Sequence, residues 1–189
     1  WTLTATGPAG SPSYSKPGNH NAFEPIWANA EYTLGETAPA GQAGNYTAST
    51  WTCDKGVTVT GGKITVPAGT TDVTCEITNT RNTAKLKLVK KVDGGTAVPN
   101  DWTLTATGPN GAPNVSNLGG QGTLTTVWSG VEYTLAENPN PGANYTASVW
   151  TCKDGANNPV TVTNSAVTVG KNAKVTCEIT NTRDLAKLA

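Results

Sequence analysis

Apolar and polar residues alternate strictly along residues 175–182. Val175, Cys177 and Ile179 lie on one side of this segment, and threonine and glutamate side chains lie on the other. A period of two with β-branched residues is typical of a strand with one buried face. Asn181 shares the apolar side, where a carboxamide without partners would cost roughly 1–3 kcal/mol. The pattern therefore predicts other polar groups close to Asn181.

The chain repeats itself. The phrase Val-Thr-Cys-Glu-Ile-Thr-Asn-Thr-Arg occurs at 73–81 and again at 175–183. Other phrases recur in the same order: residues 1–8 at 102–109, 31–34 at 132–135, 45–49 at 144–148, and 51–53 at 150–152. Glycine, proline and asparagine separate these alternating phrases, as is typical of short strands joined by turns. We predict an all-β protein of two tandem antiparallel β-sandwich domains.

The repeats also predict where each domain begins and ends. We assign residues 1–83 to the first repeat and residues 84–183 to the second, which opens with a lysine-rich strand at 84–93. The first repeat lacks such a strand, and residues 184–189 match the beginning of another one. We expect either that one long repetitive chain continues, or that another molecule donates the missing strand.

Composition narrows the classes of function. The 189 residues have a formal net charge of zero, and no apolar run approaches the roughly 18–20 residues of a membrane helix. Neutrality argues against nucleic-acid partners, which need a basic surface. The sequence has one histidine and no Cys-x-x-Cys spacing. We therefore expect no cofactor, no metal and no enzyme with turnover.

Each repeat contains one pair of cysteines, Cys53 with Cys75 and Cys152 with Cys177. Three pairings of four cysteines are possible, and the repeat favours one disulfide within each domain. Metal binding and free thiols are the alternatives. Because disulfides persist in oxidising compartments, we predict an extracellular protein at a cell surface or in a secreted filament.

Three polar residues of the second repeat lie on core-facing sides of different predicted strands. Lys90 belongs to the first strand, Glu137 to a central strand and Asn181 to the last. First and last strands of a sandwich often pair, so we expect Lys90 and Asn181 to meet, with Glu137 over both. Lys87 and Lys91 are the alternatives, because Lys90 could extend from a strand end to water.

This constellation predicts a reaction of the protein with itself. Apolar burial disfavours the charged forms of lysine and glutamate. A neutral amine is a nucleophile, and a protonated carboxyl group can polarise an amide and transfer protons. Attack of the Lys90 amine on the Asn181 amide would release ammonia and leave an isopeptide bond, with Glu137 assisting. A hydrogen-bonded cluster without the bond is the alternative.

Three phrases of the second repeat resemble those of CnaB-type, or prealbumin-like, repeat domains of Gram-positive surface proteins and pilins. The phrases are Leu-Val-Lys at 88–90, Tyr-Thr-Leu-Ala-Glu at 133–137 and Cys-Glu-Ile-Thr-Asn at 177–181. The resemblance covers essentially all of both repeats. It implies immunoglobulin-like or prealbumin-like sandwiches from an extracellular stalk, pilus or adhesin, often with an internal isopeptide bond.

The resemblance also implies roles for single residues. By position, Lys90 and Asn181 match the linked lysine and amide of the family, and Glu137 matches the assisting acid. Glu36 and Asn79 match the acid and the amide in the first repeat, whose lysine would lie outside this sequence.

We therefore predict a structural, non-enzymatic module of an extracellular fibre, pilus or stalk, with at most a single-turnover self-cross-linking reaction. Its expected partners are neighbouring copies of the same repeat or subunit, with strand donation as one form of contact. We expect neither nucleic-acid binding nor membrane insertion. The alternative is an adhesin or carbohydrate-binding module that uses the loops at 9–25 and 110–122, which differ most between the repeats.

Overall fold

The computed structural model describes residues 1–139 and 142–188. Its contacts divide the chain into two compact units, Trp1–Arg81 (unit 1) and Asn82–Ala189 (unit 2). Most regular structure in both units is β-strand, with short 3-10 helices at Ala43–Asn45 and Pro99–Asp101. The predicted all-β class is confirmed. The boundaries at residues 83 and 183 stay predictions; residues 184–188 belong to no strand, and Ala189 lies outside the described residues.

Unit 1 places its strands in one main sheet and two strand pairs. The strands are β1 (Thr2–Thr6), β2 (Tyr14–Pro17), β3 (Glu31–Thr37), β4 (Tyr46–Ala48), β5 (Thr52–Cys53), β6 (Lys63–Thr65), β7 (Cys75–Glu76) and β8 (Asn79–Arg81). The main sheet has the order β2-β1-β3-β6, and β4 pairs with β8 and β5 with β7. All of these pairs are antiparallel.

Unit 2 forms two larger sheets. The strands are β9 (Thr83–Asp93), β10 (Thr103–Thr107), β11 (Val115–Leu118), β12 (Thr125–Trp128), β13 (Glu132–Asn138), β14 (Tyr145–Ala147), β15 (Thr151–Asp154), β16 (Pro159–Val160), β17 (Val162–Thr163), β18 (Ala166–Thr168) and β19 (Lys174–Arg183). One sheet has the order β11-β10-β13-β18-β17. The other has the order β12-β9-β19-β15-β16, and β14 also pairs with β19.

The first and last strands of unit 2, β9 and β19, lie side by side and run parallel. Their alternating apolar residues face inward and are buried, as the sequence pattern predicts. Val175 pairs with Leu86, and Cys177 pairs with Leu88. The pairing expected of the opening and closing strands is therefore present, and the two strands hold the centre of their sheet.

Both disulfides predicted within the repeats are present, Cys53–Cys75 in unit 1 and Cys152–Cys177 in unit 2. Each bond joins two neighbouring strands, β5 to β7 and β15 to β19. The closed loops of 22 and 25 residues stabilise each unit by about 3 kcal/mol in the chain-entropy account.

The segments 9–25 and 110–122 are more regular than the loops that the sequence predicts. The strands β2 and β11 lie within them and pair with β1 and β10 at the edge of a sheet. Backbone hydrogen bonds form this pairing, so it does not need the strict apolar alternation that marks a core strand. The prediction of a continuous loop is wrong at these residues.

Unit 1 differs from unit 2 where unit 2 contains β9. The segment 24–27, which corresponds to β12, forms no strand. The segment 72–81, which corresponds to β19, is divided into β7 and β8. In unit 2, β9 provides backbone partners for both neighbours. No strand of unit 1 within the described residues occupies the equivalent place.

Candidate functional site

The three polar residues singled out in the second repeat come from the three strands that the sequence indicates. Lys90 lies on β9 opposite Ile179 of β19, and Asn181 lies two residues further along β19, on the same face. Such a diagonal separation is within reach of a long side chain. Glu137 lies on β13, in the other sheet. The site therefore forms between the two sheets, where the opening and closing strands pair.

A single carboxylate oxygen joins the other two groups. Lys90 Nζ forms an ion pair with Glu137 Oε2, and Asn181 Nδ2 donates a hydrogen bond of 3.3 Å to the same oxygen. The Lys90 side chain is fully buried, that of Glu137 is 1% exposed, and Asn181 is fully buried. An amine, a carboxyl group and a carboxamide thus share one pocket closed to water.

The environment of Lys90 shifts its acid-base equilibrium towards the amine. Burial lowers the pKa of Lys90 below its ordinary value of 10.5, while the hydrogen bond and charge of Glu137 act in the opposite direction. Because burial is the larger cause, the neutral amine is more abundant at a given pH than in an exposed lysine. The neutral form is the nucleophilic one.

The two oxygens of the glutamate have different surroundings. Glu137 Oε1 is buried and accepts no hydrogen bond from any described residue. A buried acceptor without a donor is unfavourable. The carboxyl group therefore has one oxygen bound to both reacting groups and a second oxygen without a donor among the described residues.

Two further residues close the pocket, and the sequence pattern predicts neither of them as part of the site. The ring of Trp102, only 2% exposed, lies with its centroid 4.8 Å from Lys90 Nζ. The backbone carbonyl of Gly119 accepts a hydrogen bond of 3.2 Å from the backbone N–H of Lys90. A Cβ on Gly119 would clash with Lys90 Cβ, so glycine permits this approach. The run Gly-Gly-Gln-Gly at 119–122 was the only available signal of such a close contact.

Unit 1 contains two of the three groups. Asn79 Nδ2 donates a hydrogen bond of 2.7 Å to Glu36 Oε2, and both residues are half-buried. None of the lysines in the described part of unit 1 forms an ion pair with Glu36. Unit 1 therefore presents the acid and the amide together, without an amine beside them.

The aromatic surroundings of the two sites also correspond. Trp1 packs edge-on against Tyr46 with ring centroids 5.6 Å apart, and Trp102 packs in the same way against Tyr145 at 5.5 Å. Within residues 1–139 and 142–188, no group of three acidic, histidine or cysteine side chains is arranged to hold a metal ion. In the same residues no helix has the length and apolar character needed to cross a membrane.

Comparison with known proteins identifies the family. The sequence matches the prealbumin-like fold domain over residues 1–77 and again over 81–179. Solved structures similar to this chain include three major pilins of Streptococcus pyogenes. The T3.2 pilin has 14% identity, 97% coverage of this chain, 90% coverage of the pilin and a TM-score of 0.49. The T-13 pilin has 16% identity, 97% and 90% coverage, and a TM-score of 0.48.

A third S. pyogenes major pilin has 11% identity to this chain, with 97% and 91% coverage and a TM-score of 0.45. No curated protein matches the sequence. The family match extends over both repeats, which confirms the resemblance noted from the sequence phrases. This chain belongs to the family of prealbumin-like fold domains.

Proposed function

We propose that this chain is a structural subunit of an extracellular fibre or pilus, and that unit 2 locks itself with an isopeptide bond between Lys90 and Asn181. The observation that carries this proposal is the buried contact of Lys90 and Asn181 with one oxygen of Glu137. Membership of the prealbumin-like family, the repeated architecture and the two disulfides support an extracellular structural role.

The reaction begins with proton transfer from Lys90 Nζ to the Glu137 carboxylate. The neutral amine then attacks Cγ of Asn181, so that the Nζ–Cγ bond forms and the Cγ–Nδ2 bond breaks. Two protons leave Nζ in total. One of them completes the departing ammonia, and the other stays on Glu137 or leaves with ammonia as ammonium. No oxidant, metal or cofactor is needed, and each molecule reacts once.

Glu137 has two tasks in this scheme. It accepts the proton that makes Lys90 nucleophilic, and it returns a proton to the leaving nitrogen of Asn181. The buried pocket helps because it holds the reacting groups in contact and excludes water. Once ammonia has left, the amide product has no charge to bury.

The position of the proposed Lys90–Asn181 bond supports a mechanical role for unit 2. The chain enters unit 2 at the start of β9 and leaves it at the end of β19, and these strands are parallel neighbours. A bond from Lys90 to Asn181 would carry tension directly from one strand to the other. Residues between the two linked positions would then be shielded from the load.

The proposed partners follow from the fibre role. Neighbouring copies of the subunit would assemble along the fibre, with strand donation as one form of contact. The alternative, a binding module that uses the segments 9–25 and 110–122, has less support. Each segment contributes an edge strand to its sheet, which leaves less free loop for a ligand.

Pulling on the two ends of the reduced protein tests the proposal. Wild-type unit 2 should not release the residues between 90 and 181, whereas Lys90→Ala should add a step of roughly 300 Å, the extended length of that segment. Single-molecule force spectroscopy measures this step. Unit 1 should extend in both proteins and serves as the internal reference. The proposal is wrong if wild-type unit 2 shows the same step as Lys90→Ala.

A further inference from the structure

A run of glycines in unit 2 lies against the strand that carries Lys90. Residues 119–122, Gly-Gly-Gln-Gly, follow β11 and precede β12, which pairs with β9 only as far as Leu86. The backbone carbonyl of Gly119 accepts a hydrogen bond from the backbone N–H of Lys90. A Cβ on Gly122 would overlap the carbonyl oxygen of Leu88. The run therefore continues along the edge of β9 from the point where β12 ends.

Gly119 is buried and has no room for a side chain. An added Cβ would overlap the carbonyl oxygen of Pro99 and would lie 2.5 Å from Lys90 Cβ, so one of these groups would have to move. The φ angle of Gly119 lies outside the left-handed region, and other residues could adopt its backbone conformation. Glycine is therefore required here for the close approach of Lys90, and not for conformational freedom.

The backbone of Gly119 joins Lys90 to Trp102. The N–H of Gly119 donates a hydrogen bond of 2.8 Å to the carbonyl of Trp102, and its carbonyl accepts the bond of 3.2 Å from Lys90. The Trp102 ring lies over Lys90 Nζ, and its edge-on contact with Tyr145 fixes the orientation of the ring. One residue therefore holds both the backbone that carries the amine and the backbone that carries the ring above it.

We propose that Gly119 is a positioning residue for the reaction between Lys90 and Asn181. Its missing side chain allows the Lys90 side chain to lie between the two sheets. Its two backbone hydrogen bonds hold the amine between the Trp102 ring and Glu137. This inference rests on the proposed isopeptide bond and deepens it by identifying the residue on which the placement of the amine depends.

The placement of the amine matters because lysine has a long and flexible side chain. An unrestrained lysine samples many rotamers, and only those that bring Nζ to Glu137 and the Asn181 carboxamide lead to the bond. A displacement of about 1 Å can slow a reaction between positioned groups by about 10²-fold. A side chain on Gly119 would press on Lys90 Cβ, at the base of the side chain. A shift at this atom would move the whole side chain, including Nζ.

Unit 1 contains a matched glycine in a different environment. Gly18 follows β2 as Gly119 follows β11, and its N–H donates an equivalent hydrogen bond of 2.9 Å to the carbonyl of Trp1. A Cβ on Gly18 would lie 3.5 Å from Trp1 Cβ, which is an ordinary van der Waals contact. The same turn therefore accepts an alanine in unit 1 and excludes one in unit 2.

Gly120 provides a second control, within the run itself. Its N–H donates a hydrogen bond of 2.9 Å to Asn100 Oδ1, and an added Cβ would lie 2.6 Å from the same oxygen. Both residues are exposed, so the end of the Asn100 side chain can turn away into solvent. Alanine at Gly120 therefore changes the run without pressing on Lys90.

The rate of ammonia loss from newly synthesised full chains tests the proposal. Gly119→Ala should slow this loss about 100-fold relative to the wild type, whereas Gly120→Ala and Gly18→Ala should react at close to the wild-type rate. Intact mass spectrometry at intervals after cell-free synthesis in an oxidising mixture measures the rate. A wild-type rate for Gly119→Ala would overturn the proposal.

Hydrogen exchange of the same samples distinguishes a misplaced amine from an unfolded domain. Unreacted Gly119→Ala molecules should protect the backbone of β19 as well as Glu137→Gln does, a variant that should fold without forming the bond. Slow ammonia loss in molecules with a protected β19 supports the positioning role. Slow loss confined to molecules without this protection would overturn it, because folding and not placement would then limit the reaction.

A measurement on unlinked protein separates this inference from the proposed function. Asn181→Ala keeps the Lys90 amine free, whether or not the wild type forms the bond. In its NMR spectrum the Cε protons of Lys90 should be shifted upfield by the Trp102 ring above them, and adding Gly119→Ala should reduce this shift. An unshifted signal with Gly119 present would overturn the positioning role. A shifted signal, together with the full calculated mass of the wild type, would overturn the isopeptide bond and retain the placement of the amine.

Discussion

Lys90→Ala should lower the midpoint of thermal unfolding of unit 2 by roughly 20–40 °C. The proposed bond spans 91 residues (181 − 90 = 91), and a cross-link that closes a loop near 100 residues stabilises a protein by about 4.7 kcal/mol. Each kcal/mol corresponds to a shift of about 4–8 °C for a domain of this size. Removal of the Lys90 side chain also leaves the buried Glu137 carboxyl group without the hydrogen-bonding partner that this residue provides, which adds to the effect.

Scanning calorimetry of the oxidised protein measures this shift. The matched control is Lys91→Ala, which removes the neighbouring lysine and its exposed contact with Glu178. Such surface pairs contribute at most about 1 kcal/mol, so this control should change the midpoint by a few degrees. The Lys91→Ala control also distinguishes Lys90 from Lys91 as the lysine that forms the isopeptide bond. A large effect of Lys91→Ala with none of Lys90→Ala would show that the wrong lysine has been assigned.

Glu137→Gln should prevent the reaction while preserving the shape of the pocket. Glutamine can still hydrogen-bond to the amine and the amide, but it cannot accept and return a proton. General acid-base catalysis contributes about 10²–10⁴-fold to a rate, so we expect this variant to retain the full mass calculated from its sequence. Intact mass spectrometry of the reduced protein measures the outcome.

The repeat offers a matched control for this variant. Glu36→Gln makes the same change in unit 1, where the described residues include no lysine beside the glutamate. That protein should lose ammonia to the same extent as the wild type. Efficient ammonia loss by Glu137→Gln would rule out the proton transfers assigned to Glu137, even if the bond itself forms.

Alternation and repetition carry most of the predictable information in this chain. The period of two at 175–182 correctly predicts the buried face of β19 and the inward position of Asn181. The same reasoning places Lys90 inward on β9. Lys90 is a predictable site residue because three buried residues precede it on the same face of one regular strand.

The neighbouring strands decide how far a strand extends, which the alternation of apolar and polar residues does not predict. The phrase Val-Thr-Cys-Glu-Ile-Thr-Asn-Thr-Arg is identical in both repeats, yet it belongs to one continuous strand in unit 2 and to the separate strands β7 and β8 in unit 1. The difference arises from a neighbouring strand, because β9 pairs along the length of β19 in unit 2. Strand formation depends on such partners more than on intrinsic preference.

The remaining parts of the pocket depend on contacts between distant segments. Trp102 covers Lys90 from the start of another strand, and Gly119 reaches it from the turn after β11. Neither contact corresponds to a periodic pattern of residues in the sequence. Edge strands such as β11 are also difficult to predict, because their backbone bonds hold them while their side chains follow no strict pattern.

The mass of the intact wild-type chain, measured after full reduction of both disulfides, tests the central claim most directly. A Lys90–Asn181 bond predicts a mass one ammonia below the value calculated from the sequence, with the loss located by proteolysis in a branched peptide that contains both residues. The full calculated mass, in a protein whose Lys90 and Asn181 are recovered in separate peptides, would contradict it.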